Sequence, residues 1–150
     1  MRPEVEDLID AVLDEADSID DLVEIMAEQR EAMKVGDAAA VDELMKEMRE
    51  VVFDLQTQSA SRDEGAKRLA ARLECEPRVS SLSAHMGEDE RALFGGAADR
   101  LSRSIFALKS EMMILSGLVD QNERYTSMLL SEWRRLVGDA VQPGATDFRG

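Results

Sequence analysis

Residues 28–55 read EQREAMKVGDAAAVDELMKEMREVVFDL, with Gly36 and Asp37 about a third of the way along. Glycine takes the left-handed backbone that ends a helix without a Cβ penalty, and aspartate is among the best residues for capping a helix start. The pair therefore ends one helix and begins the next, and so short a link folds the two back on each other as an antiparallel hairpin. Downstream, Val41, Met45, Met48, Val52 and Leu55 follow a four-three spacing with Leu44 alongside, which is the rhythm of a helix burying one stripe. Upstream, Val5, Ile9, Val12, Ala16, Ile19, Val23, Met26 and Met33 keep the same rhythm and only Arg30 interrupts it. Leu8, Leu13, Leu22 and Ile25 widen that stripe from a two-helix seam to the face of a bundle.

Proline breaks helices from within, and it stands only at positions 3, 77 and 143. The spacing predicts helices over about residues 4–35, 38–73 and 88–137, with a tail over 138–150 that lacks periodicity and is expected to be mobile. The polar interval QTQSASRDEG separates Leu55 from the resumed stripe at Ala66, Leu69 and Leu73. With Gly65 costing about 1 kcal/mol inside a helix, fraying or a kink is expected between Gln58 and Gly65. Residues 74–87 form a linker, with room for one short helical turn around 79–86. The third helix carries Phe94, Ala98, Leu101, Ile105, Leu108, Met112, Leu115, Val119, Asn122, Thr126, Leu129, Trp133 and Leu136 in register, only Asn122 and Thr126 being polar. Its continuity through Gly95, Gly96 and Gly117 is left open. The fold class is all-α: an elongated antiparallel three-helix bundle or coiled coil with a long C-terminal helix, in one domain.

The chain has 150 residues, 32 acidic against 18 basic, for a net charge of -14. That charge repels nucleic acid and anionic lipid, so neither is expected as a partner. The opening MRPEVEDLID lacks the basic and then apolar stretch of a signal peptide, and no apolar run of membrane-spanning length occurs, so a cytoplasmic location is expected. A single Cys75 cannot form an internal disulfide, and Glu74 and Glu76 beside it disfavour the thiolate. His85, the only histidine, has no triad pattern near it, and Gly95–Gly96 lacks the context of a phosphate loop. No enzyme, metal or cofactor is expected. Residues 3–29 hold eleven carboxylates and no cation. No calcium-loop spacing occurs among them, and they read as a solvated helix face, or as a surface that steers basic partners or opposes self-association.

By the rise of 1.5 Å per residue, the three helices would be about 48, 55 and 75 Å long. The third then outruns its partners, leaving about residues 122–137 with few neighbours, and this overhang is apolar. An apolar strip left in water is an interaction site by default. The candidate partner-binding residues are Leu115, Leu118, Val119, Asn122, Tyr125, Leu129, Leu130, Trp133 and Leu136. Asn122 either fixes helix register or bonds a partner's backbone, and Trp133 either completes the core or anchors a bound helix.

Residues 28–55, with Gly-Asp at the turn, resemble the first turn and second helix of FlgN-type flagellar export chaperones, and Arg62 falls where that family tends to place an arginine. The segment LVDQNERYTSMLLSEWRRL resembles the family's last helix, where an Asn precedes a Leu-Leu pair, here Asn122 with Leu129 and Leu130. The resemblance spans roughly residues 5–137. It implies a cytosolic chaperone of flagellar type III secretion that binds the C-terminal amphipathic helices of hook-filament junction proteins and delivers them to the export-gate membrane protein. It also implies a tail aromatic touching the gate, for which Phe148 is the candidate. The alternative is a structural homodimeric coiled coil without secretion cargo.

Overall fold

The computed structural model describes residues 1–121 and 127–141. Its helices are α1 (Pro3–Lys34), α2 (Ala38–Leu73), α3 (Val79–Ser83), α4 (Glu88–Gln121) and α5 (Ser127–Ala140). The described residues form an all-α bundle without a strand.

The hairpin forms as the Gly-Asp pair requires. Gly36 has φ 73°. Its N–H donates to the Met33 carbonyl at 3.1 Å and the Asp37 N–H to the Ala32 carbonyl at 2.9 Å, a double bond pattern that satisfies the last carbonyls of a helix. Asp37 then accepts the Ala40 N–H at 3.0 Å and caps α2. Cross-helix pairs fix the direction of each neighbour. Glu15 meets Ser59 and Arg62 while Glu4 meets Arg72, so α2 runs antiparallel to α1. Arg2 meets Glu90, Arg100 meets Asp17 and Asp20, and Arg30 meets Glu111, so α4 runs parallel to α1. α1 packs against both, and its buried face carries Val5, Leu8, Val12, Ala16, Ile19, Leu22 and Met26.

α2 does not fray between Gln58 and Gly65; it is helical throughout 38–73. The polar interval is a buried contact. Ser59 and Arg62 continue the four-three stripe from Leu55 to Ala66, both are 2% exposed, and both bond Glu15, which is fully buried on α1. A polar residue on the stripe needs a partner in the facing helix, and Glu15 supplies it. Likewise Arg30 does not interrupt the stripe of α1. Gln29 occupies that buried position, and Arg30 reaches sideways to Glu111 at 3.0 Å.

The linker holds α3, shorter than the turn expected over 79–86, and its Leu82 is fully buried with Met86 nearly so. α4 is regular through Gly95, Gly96 and Gly117. Its first turn carries Glu88, Asp89 and Glu90, placing negative charge where the helix dipole favours it.

The projecting third helix is corrected. Residues 122–126, with Asn122, Tyr125 and Thr126, lie outside the described residues, and so do 142–150. Beyond that gap the chain does not extend α4 as one rod: α5 packs back against α2 and α4. The physical reason is burial. Leu130, Trp133, Leu136, Val137 and Ala140 are all at most 9% exposed in α5, and each of the four large side chains stabilises by roughly 1.5–3 kcal/mol when taken from water. The helix also continues to Ala140, past the expected start of the tail at 138.

Candidate partner-binding surface

α5 has apolar residues at 130, 133, 136, 137 and 140 with polar residues between them, so one face enters the bundle and the other faces water. Trp133 is fully buried. Arg49 of α2 donates from Nε to Glu132 at 3.1 Å, tying α5 to α2. Arg135, one turn along, donates to the same carboxylate at 2.8 Å and is also paired with Asp139. The Arg135 guanidinium, aided by Arg49, holds the Glu132 carboxyl below its ordinary value against the opposing effect of desolvation. All these groups are partly solvated, so the polar tie is weak, and the apolar face does most to seat the helix.

The composition of the core changes along the bundle. At the end away from the Gly36 turn it includes Val5, Leu8, Leu69, Leu82 and Phe94, with Met86. Toward the turn, where Arg49 holds α5, it includes Met26 and Met33 of α1 and Met45 and Met48 of α2, all buried, with Met112 of α4 partly buried beside them. Methionine has a flexible, polarisable side chain that adapts to different neighbours. The same region contains buried polar atoms without a hydrogen-bond partner: the indole Nε1 of Trp133 and both amide atoms of Gln29. A buried donor or acceptor left unmet costs about 1–3 kcal/mol.

Of the candidate residues, Leu115, Val119, Leu130, Trp133 and Leu136 are buried within the chain, and Leu118 and Leu129 are half-buried against the core. The structure gathers them at the α4–α5 end of the bundle; it does not leave them as a free strip. Asn122, Tyr125 and Phe148 lie outside the described residues. The large apolar side chains that α4 exposes include Leu93 (55%), Phe106 (72%), Met113 (77%) and Ile114 (48%). Phe106 and Met113 stand one place beyond the stripe residues Ile105 and Met112, off the buried face. The seven-residue spacing of Phe106 and Met113 was the available signal.

The acidic helix resolves into an ordered surface. Asp7, Asp10, Asp14, Asp17, Asp21, Glu24, Glu28 and Glu31 alternate three and four apart, and every one is exposed. Asp17 is paired with Arg100, and Glu31 with Arg30 and Lys34. Spread along one face, these carboxylates do not converge as ion ligands do, and no metal-holding group occurs among the described residues.

The described residues form a bundle of amphipathic helices in which α5 packs against α2 and α4. The model of the FlgN protein family matches residues 1–139, and the chain belongs to that family. The family is one of flagellar export chaperones, not of enzymes. No curated protein and no solved structure matches the chain. Among the described residues, no helix is long and apolar enough to cross a membrane.

Proposed function

We propose that this chain is a cytoplasmic export chaperone that binds the C-terminal amphipathic helices of flagellar hook-filament junction proteins, keeps them monomeric and hands them to the cytosolic part of the export-gate membrane protein. The observation that supports it best, beside family membership, is α5 itself: an amphipathic helix already lies against α2 and α4, so this surface accepts helices. Of the partner-binding residues named from the sequence, Leu115, Leu118 and Val119 of α4 line the seat that takes the partner, Leu129, Leu130, Trp133 and Leu136 of α5 mark that seat by covering it in the free chain, and Asn122 and Tyr125, outside the described residues, remain candidates. Phe148 is the gate contact.

A junction-protein terminus that packs as a coiled coil in its assembled state is apolar and sticky when free. Binding it as a helix buries about 1,000–3,000 Å² in coupled folding, part of the gross energy being spent on ordering. Affinity is thereby held to a level that permits release. A homodimeric coiled coil would draw on the same apolar strip, which the chain covers with its own helices; light scattering at low micromolar concentration should therefore return the 16.7 kDa of one chain.

Isothermal titration of the full chain with the C-terminal segment of a hook-filament junction protein tests the reading. Saturable binding with a negative heat-capacity change is expected. Absence of binding to every such segment would overturn it.

A further inference from the structure

We infer that α5 occupies, in the free chain, the seat that a partner helix takes, so that binding exchanges one amphipathic helix for another. The inference rests on the chaperone reading and specifies how that surface is regulated.

Three independent features support exchange over a permanent fourth helix. First, the core beneath α5 differs from the rest. Met26, Met33, Met45 and Met48 gather toward the Gly36 turn, whereas the other end, with Val5, Leu8, Leu69, Leu82 and Phe94, has Met86 as its buried methionine. Methionine cores repack around non-identical helices with little loss. Second, buried polar groups at the level of the seat are unmet. Trp133 Nε1 is buried without an acceptor, and the Gln29 amide is buried with neither atom bonded. The antiparallel register set by Glu15 with Ser59 and Arg62 places Gln29 level with the α2 segment that ends at Arg49, so both unmet groups belong to one region. Third, a polar tie across the seat, among the described residues, runs through the carboxylate of Glu132, which Arg49 shares with Arg135 of α5 itself. When α5 leaves, Arg135 keeps Glu132, and Arg49 becomes available to another carboxylate.

These features also describe the incoming helix. It carries large apolar residues three and four apart, as α5 does at Leu130, Trp133 and Val137. It has a carboxylate beside the central apolar position to meet Arg49. An amide or hydroxyl that reaches Gln29 would bond an amide that has no partner in the free chain.

Trp133 is the only tryptophan and is fully buried, so its fluorescence reports whether α5 is seated. The probe is a tryptophan-free C-terminal segment of a hook-filament junction protein. The pinned form combines Arg49→Cys, Glu132→Cys and Cys75→Ser in the full chain, joined by a bis-maleimide with a reducible centre. The expected result has two parts. The segment shifts Trp133 emission to the red and opens it to acrylamide in the unpinned chain. Pinning weakens binding by at least about tenfold, and reductive cleavage of the linker restores it. Equal binding by the pinned form, or a Trp133 that stays shielded in the complex, would overturn the exchange while leaving the chaperone reading in place. Failure of the unmodified chain to bind would overturn the chaperone reading and the exchange with it.

Discussion

Arg62 of α2 donates from Nε to Oε2 of Glu15 on α1 at 2.6 Å, with the arginine side chain 2% exposed and the glutamate fully buried. Ser59 donates to the other carboxylate oxygen at 2.6 Å. A charge pair inside an apolar seam fixes which turn of one helix faces which turn of the other, because any slip leaves a buried charge unmet. Here it locks the α1–α2 hairpin at its middle, far from the Gly36 turn that closes it.

Removing either partner alone takes the ion pair away from a buried charge. Glu15→Ala or Arg62→Ala should each destabilise by about 3–5 kcal/mol, whereas Glu15→Leu with Arg62→Met should cost much less than either single change. Urea denaturation followed by circular dichroism checks both. A double variant as unstable as the two losses combined would show that the pair is not the coupling.

Arg2 ties the start of α1 to α4. Its side chain and backbone N–H both donate to Glu90, at 2.9 and 3.1 Å. The hydrogen bonds from the Arg2 side chain and then its backbone lower the Glu90 pKa from 4.5 to about 2. The folded state therefore favours the ionised form. The associated stability is present above the ordinary pKa and is lost as pH falls from about 4.5 toward 2. Thermal melts of the wild type and Glu90→Gln should converge on acidification through that window and stay evenly separated above pH 6.

Two glycines in α4 have open space where a side chain would be. Nothing lies within 4 Å of a Cβ built at Gly95 or Gly96. Alanine at either position should stabilise by about 0.5–1 kcal/mol, raising the melting temperature by about 1–4 °C. A loss of stability would mean that this stretch is not regular helix.

At the end of α2, Glu74 adopts φ 56° and ψ 49°, a left-handed conformation costing a non-glycine residue about 1–2 kcal/mol. Glu74→Gly should recover about 1 kcal/mol, measured by the same melts. A neutral result would mean that the Glu74 side chain offsets its own strain.

The hairpin was legible because its chemistry is local: Gly36 ends a helix and Asp37 caps the next whatever surrounds them. The resemblance read from that turn and the last helix agrees with the family match over residues 1–139. The Glu15–Arg62 pair was not legible, because Ser59 and Arg62 look like a polar interruption until α1 is laid beside α2 and Glu15 comes level with them. The return of α5 was hidden for a related reason. Heptad spacing tells which face of a helix is apolar and is silent on whether the chain keeps its direction, so Leu129, Trp133 and Leu136 keep the same rhythm in a straight rod and in a helix folded back. Own helix and partner helix also answer the same apolar signal, which is why the candidate residues were recognisable and their covering was not.

Hydrogen exchange of the full chain, with and without a saturating C-terminal segment of a hook-filament junction protein, tests most directly where the partner binds. The account predicts changed exchange in residues 38–55 of α2, in the last turns of α4 and in α5, with slower exchange on α2 and α4 and faster exchange on α5. Changes confined to α3 and the far end of the bundle, or to the acidic face of α1, would contradict it.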